Sequence, residues 1–133
     1  MAIDNSEVID GIAYEGNKLI LQIYDRLEFD DEIVQDHLFM LQDKLNAYIW
    51  FVDSKQYEET YPDAKLSVFE IQIKFKYQPS DFCIQYLSHV NDKLSSMNIS
   101  VEYEVTEWIS LQIPILFTLS VLLLLIAFLT EKF

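Results

Sequence analysis

Residues Lys65–Tyr77 read KLSVFEIQIKFKY, and their side chains alternate between polar and apolar over almost the whole stretch. Successive side chains of a β-strand point to opposite faces, so this alternation predicts a strand with one buried side. The predicted core side comprises Ser67, Phe69, Ile71, Ile73, Phe75 and Tyr77. The other side carries mainly polar residues, among them Glu70, Gln72, Lys74 and Lys76. The strand therefore belongs to a sheet with one apolar face.

The segment before this strand predicts a long amphipathic helix. It reads DDEIVQDHLFMLQDKLNAYIWFVDS from Asp30 to Ser54. Apolar residues recur there every three or four positions, as expected for one face of a helix. These residues are Val34, Leu38, Leu41, Leu45, Tyr48 and Val52. Asp30 or Asp31 is expected to cap the start of the helix, and a loop containing Pro62 follows its end.

The N-terminal part of the chain predicts a β-hairpin. Two stretches alternate with period two, from Glu7 to Tyr14 and from Lys18 to Leu27. The turn between them contains Gly16, and Gly11 lies in the first stretch. A tight hairpin turn needs a residue that adopts positive φ, which glycine does at low cost.

The C-terminal side of the central strand predicts a second helix and a last strand. Pro79 and Ser80 open the helix, whose apolar stripe consists of Phe82, Tyr86, Leu87, Val90 and Leu94. The strand ISVEYEV follows, with Ile99, Val101, Tyr103 and Val105 on its apolar side. The order β-β-α-β-α-β is typical of an α+β two-layer sandwich, in which two helices cover one face of a four-stranded sheet. We assign residues 1–106 to this acidic domain.

These segments resemble a family of small uncharacterised bacterial domains. The resemblance is carried by a hairpin beginning near IDGIAY, a helix containing KLNAY, a loop with the dipeptide YP and a terminal EYEV strand. It covers roughly Glu7 to Val105. It implies the same α+β fold but no activity and no catalytic residues. Members of that family end soon after the last strand, so the residues that follow here are an addition to it.

The stretch WISLQIPILFTLSVLLLLIAFLTEKF begins at Trp108 and has no charged side chain before Glu131. The 22 residues Ile109–Thr130 would extend about 33 Å as a helix, enough for a hydrocarbon core of about 30 Å. Residues 107–133 are therefore predicted to be a C-terminal single-pass transmembrane anchor. Representative membrane-facing residues are Trp108, Ile113, Leu116, Leu122, Leu125 and Phe128. A helix buried in the protein or in an oligomer is the alternative, and Pro114 would shorten either helix.

Composition and position restrict where the protein acts. Asp and Glu number 22 against 9 Lys and Arg, which gives a net charge of −13. Such a domain repels phosphates, so nucleic acid is excluded as a partner and a basic protein is favoured. The N-terminus has no secretory signal, and the single Cys83 fits a reducing compartment. The expected location is the bacterial inner membrane, with a tail anchor and the N-terminal domain in the cytoplasm.

No catalytic, cofactor or metal site is predicted. His37 and His89 each have acids nearby but form no pair at helical spacing, so we expect surface capping or packing rather than metal binding. The acidic run Glu28–Glu32 lacks the glycine and alternating ligands of a calcium loop. Cys83 has apolar neighbours and is expected in the core. The protein is predicted not to be an enzyme.

Aromatic residues around the end of the first helix, together with acids before it, form a candidate partner-binding surface. Its residues are Trp50, Tyr57, Tyr61, Glu28, Asp30 and Asp31. Trp50 lies off the apolar stripe, and Trp and Tyr are enriched at interface hot spots. Alternatively, Trp50 packs under the loop that follows the helix.

The function predicted from these features is a membrane-tethered protein-binding module that binds a basic or membrane-bound protein. One version is an immunity or inhibitory protein against a basic or membrane-acting toxin. The alternative is a small structural or regulatory subunit of a larger membrane complex.

Overall fold

The computed structural model describes residues 3–106 of the chain. Its strands are β1 (Gly11–Glu15), β2 (Lys18–Asp25), β3 (Val68–Phe75) and β4 (Ile99–Val105). Its helices are α1 (Val34–Asp53), α2 (Tyr57–Thr60) and α3 (Asp81–Leu94), with a 3-10 turn over Ser95–Met97. The predicted α+β class with a four-stranded sheet is confirmed. The short helix α2 was not predicted and lies in the segment assigned to a loop.

The four strands form one sheet in the order β1-β2-β3-β4. β1 and β2 pair antiparallel as the predicted hairpin, whereas β2, β3 and β4 run parallel. Parallel neighbours need a crossover connection, which α1 supplies between β2 and β3 and α3 supplies between β3 and β4. Two right-handed crossovers that advance in the same direction along a sheet place both helices on the same face.

The apolar face of the sheet forms the core together with the inner faces of α1 and α3. Its central positions, Leu21, Ile23, Ile71 and Ile73, are fully buried. The predicted core side of the central strand is confirmed at four positions: Phe69, Ile71, Ile73 and Phe75. The opposite face of the sheet is polar, and Lys74 Nζ there lies 2.7 Å from Glu104 Oε1.

The hairpin turn has two loop residues, Gly16 and Asn17, between the paired ends Glu15 and Lys18. Gly16 has a φ of 61°, a conformation that other residues adopt only at a cost. Positive φ at the first of two loop positions is the pattern of a type II′ turn, whose twist matches the twist of the flanking strands.

The start of the first helix differs from the prediction. α1 begins after Ile33, and no side chain caps it. Asp30 instead accepts the backbone N–H of Glu32 at Oδ1, 3.0 Å away, in a turn before the helix. Its carbonyl accepts the N–H of Ile33. The two bonds hold Asp30 outside the helix, so neither it nor Asp31 serves as the cap.

The buried face of α1 is rotated relative to the predicted stripe. Val34 and Leu38 are only half-buried, whereas His37 and Lys44 are completely buried. The cause is the polar groups of β2 and the N-terminal segment, which bind these two side chains from below the helix. Predictions from apolar spacing alone place polar residues on the outside and therefore misplace this face.

Three smaller differences concern element ends. β1 begins at Gly11 rather than Glu7, because Asp10 turns inward toward α1. Tyr103 is 41% exposed although it was placed on the core side, since β4 is the edge strand of the sheet. The predicted start of the second helix is confirmed, and Ser80 Oγ accepts the N–H of Cys83 at 3.2 Å.

Candidate binding surface

The outer face of α1 combines aromatic side chains with acids. Residues spaced three or four apart share one face of a helix, and this face presents Asp36, Phe39, Asp43, Asn46, Trp50 and Asp53. We call these six residues the α1 outer face. All six are exposed, and Phe39 and Trp50 each expose 61% of their surface. Lys44 is the single Lys or Arg in α1, a helix described over its whole length, and it is buried. The outer face is therefore acidic and aromatic without a compensating cation of its own.

The structure separates the aromatic residues that were predicted to bind a partner. Trp50 is exposed and does not pack under the following loop. Tyr57 is only 6% exposed, because it packs between Phe51 and Phe69 in the core. Burial also raises the pKa of its hydroxyl. Tyr57 therefore cannot contribute to a contact surface, and its assignment to one is corrected.

Tyr61 is half-buried beside the edge strand β1. Its ring packs edge-on against Tyr14 with a centroid distance of 4.6 Å, and its hydroxyl lies 3.4 Å from the carbonyl of Ile12. These contacts tie the segment after α2 to the hairpin. The structure thus leaves Trp50 as the most exposed of the three predicted aromatic residues.

The predicted acidic residues Glu28, Asp30 and Asp31 are all exposed in the connection between β2 and α1. Because they directly precede α1, they add negative charge next to the N-terminal half of this helix. The predicted membrane-facing residues lie outside the described part of the chain, at Trp108, Ile113, Leu116, Leu122, Leu125 and Phe128. Within residues 3–106, no helix has both the length and the apolar character needed to cross a bilayer.

A groove of about 200 Å³ lies between α1 and α3, and we call it the helix groove. Its lining residues are Gln35, Leu38, Phe39, Gln42, Phe82 and Tyr86. Phe82 is 66% exposed, and together with Phe39 it stands at the groove's edge. Small-molecule sites typically have volumes of about 300–1,000 Å³ and enclose most of the ligand. The helix groove is smaller and open, which suits side chains of a protein partner.

Below the outer face, Lys44 joins α1 to the N-terminal segment. Its Nζ donates to the carbonyls of Asn5 and Val8 at 2.6 and 2.7 Å, and to Asp10 Oδ1 at 2.9 Å. Asp10 Oδ2 accepts the N–H of Tyr24 at 2.9 Å. Since both side chains of the Lys44–Asp10 pair have no exposed surface, this pair is structural rather than a contact site.

Tyr48 extends the same network one turn further along α1. Its hydroxyl accepts the N–H of Asp10 at 2.8 Å and donates to the carbonyl of Gln22 at 2.6 Å. Burial raises the pKa of this hydroxyl, so it stays neutral and keeps its proton for Gln22. Lys44 and Tyr48 together fix the position of α1 over the hairpin.

A second buried pair fixes the start of α1. His37 Nε2 lies 2.6 Å from Asp25 Oδ2 at the end of β2, and neither side chain has exposed surface. His37 Nδ1 lies 3.2 Å from the carbonyl of Glu28, and the ring stacks on Phe29 at 4.1 Å. Of the two arrangements expected for the histidines, surface capping and packing, His37 shows packing. His89, by contrast, is exposed.

Sequence reasoning missed both buried pairs, although helical spacing contained a signal for one side of each. His37, Leu41, Lys44 and Tyr48 are spaced four, three and four, so they share a face by the same rule that gave the apolar stripe. The partners Asp10 and Asp25 lie 34 and 12 residues away and come close only through the fold. No local pattern joins them to α1.

Cys83 lies in the core, as predicted, with no exposed surface. Burial, and to a smaller extent the charge of Asp25, raises the pKa of its thiol to about 12. A thiol is nucleophilic and binds metals as the thiolate, so this cysteine is inert. Among residues 3–106, no group of three or more His, Cys, Asp and Glu side chains is placed to hold a metal ion.

We predict that Cys83 in the folded protein does not react with a thiol reagent near neutral pH and reacts fully in denaturant. The cause is its burial together with its raised pKa. Because Cys83 is the only cysteine in the sequence, absorbance from a disulfide reagent reports on it alone. Rapid reaction of the native protein would contradict this placement.

The same shift predicts a loss of stability in alkali. The pKa is raised from 9.0 to about 12, so the folded state keeps the proton over a range in which the unfolded state loses it. The free energy of unfolding should therefore be independent of this group below pH 9. It should fall by about 1.4 kcal/mol for each pH unit above 9, up to about pH 12. Urea unfolding of Cys83→Ala measured across that range should show a flatter profile than the wild type.

The α1 outer face and the helix groove are both accessible, whereas the buried ionisable pairs do not reach solvent. Searches with the chain find no significant match among curated proteins or among solved structures. A family model, however, matches residues 1–107, which include every residue that builds these two surfaces. The chain belongs to the family of unknown function DUF6572.

Proposed function

We propose that this protein is a membrane-tethered protein-binding module whose α1 outer face contacts a basic partner. The observation that carries the proposal is the exposure of Phe39 and Trp50 among the acids Asp36, Asp43 and Asp53. Exposed Trp is enriched in interface hot spots, and acids around it attract a basic partner and orient it. The rigid attachment of α1 through Lys44 supports this use, because a preorganised surface loses little entropy on binding.

The tether of the proposal is the apolar run Ile109–Thr130. It follows β4 closely, so it would hold the domain beside a bilayer. A location at the bacterial inner membrane, with the domain in the cytoplasm, completes the proposal. A partner at that location would be a basic protein or a protein bound to the membrane. Inhibition of a basic or membrane-acting toxin by an immunity protein is one form of such binding.

We expect the full chain to remain in the membrane pellet after a carbonate wash, and a chain ending at Thr106 to appear in the supernatant. The truncation removes the uncharged run Ile109–Thr130, and with it the apolar surface that holds the protein in lipid. The measurement is immunoblotting of the fractions. A matched full-length control, Leu122→Arg with Leu125→Arg, should lower retention, because each central Arg costs about 2.5–3.5 kcal/mol on insertion. Recovery of the unaltered full chain in the supernatant would exclude the tether.

The contact surface is tested by placing a photo-crosslinking phenylalanine analogue at position 50 of the full chain. The matched control carries the same analogue at Glu102, which is exposed on the sheet face opposite the helices. We expect a specific adduct from position 50, weakened by salt because the acids contribute to binding, and no such adduct from position 102. Equal adducts from both positions, or none from position 50, would refute the proposed surface.

A further inference from the structure

The helix groove has apolar walls and an acidic surround. Leu38 and Phe39 form the α1 side, and Phe82 and Tyr86 form the α3 side. Phe39 and Phe82 together are the two most exposed phenylalanines of the described chain, at 61% and 66%. Because these aromatic rings are exposed to water on both sides of the groove, a ligand that binds between them would bury a large apolar area. At about 25 cal/mol per Å² of buried apolar surface, this area favours an apolar ligand side chain.

Acids flank these rings, and of the two lysines in α1 and α3 one is buried and the other is distant. Asp36 and Asp43 stand three residues before and four residues after Phe39, which places them on its face of α1. Asp81 directly precedes Phe82, and all three acids are exposed. Lys44, the one Lys in α1, is buried, while Lys93 lies in the last turn of α3. Lys93 is eleven residues from Phe82, or about 16 Å along the helix.

Charge and size select among the possible occupants. A second copy of the chain would bring its own acids against this rim, and an anionic lipid surface would be repelled by it. The uncharged run Ile109–Thr130 would gain nothing from the acids, and a volume of about 200 Å³ is too small to cover its 22 residues. A ligand that combines a few apolar side chains with flanking Lys or Arg complements both parts of the site. Its apolar side chains pack against the apolar walls of the groove, and its cations face the acids around it.

We propose that the helix groove binds a basic amphipathic helix of a partner protein. Its apolar side chains, spaced three or four residues apart, fill the space between Phe39 and Phe82. Its Lys or Arg residues face Asp36, Asp43 and Asp81. The groove residues of α1 run from Gln35 to Gln42, about 10 Å along the axis, so roughly two turns of the ligand make contact. This inference rests on the proposed function and specifies the partner class and the site.

The test uses the full chain in a mild non-ionic detergent and a fluorescent eighteen-residue peptide of Leu and Lys arranged as an amphipathic helix. We expect anisotropy to show saturable binding that weakens with salt. Phe82→Ser should weaken binding at least about tenfold, equivalent to about 1.4 kcal/mol. Asp36→Asn with Asp43→Asn should also weaken binding and reduce its salt dependence. Since the substituted residues are exposed, the variants should have the same unfolding midpoint as the unaltered protein. Weaker binding by a variant would then not result from loss of folding.

Matched controls exclude non-specific attraction to an acidic protein. A peptide with the same Leu positions but Glu for Lys, and one with the Leu and Lys order scrambled, should bind weakly. Met97→Ser, which alters an exposed apolar side chain outside the groove, should leave binding unchanged. Equal binding of the scrambled peptide, or no effect of Phe82→Ser, would overturn the groove assignment.

The remaining outcomes distinguish the other occupants and the proposed function. Peptide binding by a chain ending at Thr106 but not by the full chain would show that residues 107–133 occupy the groove of the intact protein. Flotation of that shorter chain with anionic vesicles, abolished by Phe82→Ser, would assign the groove to lipid. Concentration-dependent dimerisation abolished by Phe82→Ser would assign it to a second copy. Each of these results overturns the inference. If Trp50→Ser abolished binding and Phe82→Ser did not, the proposal that the partner binds in the helix groove would be refuted. The proposal that it contacts the α1 outer face would stand.

Discussion

Replacing Lys44 by Met should lower the free energy of unfolding by about 3–5 kcal/mol, because it leaves the Asp10 carboxylate buried without its cation. The substitution also removes the donor to the carbonyls of Asn5 and Val8. A domain of this size has a total stability of about 5–15 kcal/mol, so the loss is a large part of it. Urea unfolding followed by circular dichroism measures it.

A double-mutant cycle identifies the ion pair as the cause. Asp10→Asn removes the buried charge while keeping an oxygen that can accept the N–H of Tyr24. Combined with Lys44→Met, it should cost less than the sum of the two single changes by at least about 1 kcal/mol. The exposed counterpart is Lys18→Ala, whose pair with Glu70 is 3.6 Å long and 40% exposed on the Lys side. That change should cost under about 1 kcal/mol. A loss of similar size for Lys44→Met would show that the buried pair contributes little.

Loss of Lys44 should also weaken partner binding, because Lys44 fixes the position of α1 although its own side chain is buried. Lys44 does not reach the α1 outer face, but it holds α1 against the N-terminal segment and, through Asp10, against β2. A partner that enters the helix groove contacts Phe39 of α1 and Phe82 of α3 together, so it requires a fixed position of α1 relative to α3. Binding should therefore weaken in Lys44→Met even under conditions in which the variant is folded.

The sheet and its core side could be predicted because their signal is local. Alternation at Phe69, Ile71 and Ile73 follows from the two-residue period of a strand, and burial of these side chains requires no knowledge of their neighbours. Gly16 likewise identified the turn, because a two-residue hairpin loop requires positive φ there. Helical spacing placed Trp50 off the apolar stripe, but it left open whether the following loop covers the ring; the structure shows the ring exposed.

The misplaced residues depend on contacts between distant segments. Tyr57 was expected on the surface because it belongs to the aromatic residues around the end of the first helix, but the turn after α1 directs its ring into the core beside Phe69. The helix groove was not foreseen, since it exists only where α3 packs beside α1. Phe82 was assigned to the buried stripe of the second helix, and its 66% exposure shows that the helix turns that position outward.

Asp25→Ala should cost about 3–5 kcal/mol, the second large loss expected in this protein. The change leaves His37 Nε2 without its 2.6 Å partner in a site with no exposed surface, and it removes the acceptor of the Leu27 N–H. Asp31→Ala, at an exposed acid in the same connection, is the matched control and should have little effect. Equal stability of the Asp25→Ala and Asp31→Ala variants would show that the buried pair is not needed.

Asp25→Asn separates the role of charge from the role of hydrogen bonding. With Asp25 ionised, its carboxylate can only accept from His37 Nε2, and the carbonyl of Glu28 faces the other ring nitrogen. The Asn amide keeps a polar partner beside Nε2, while its oxygen can still accept from Leu27. We therefore expect Asp25→Asn to lose clearly less stability than Asp25→Ala in urea unfolding. Equal losses for the two variants would mean that the ion pair itself holds the start of α1, and with it the α1 wall of the helix groove.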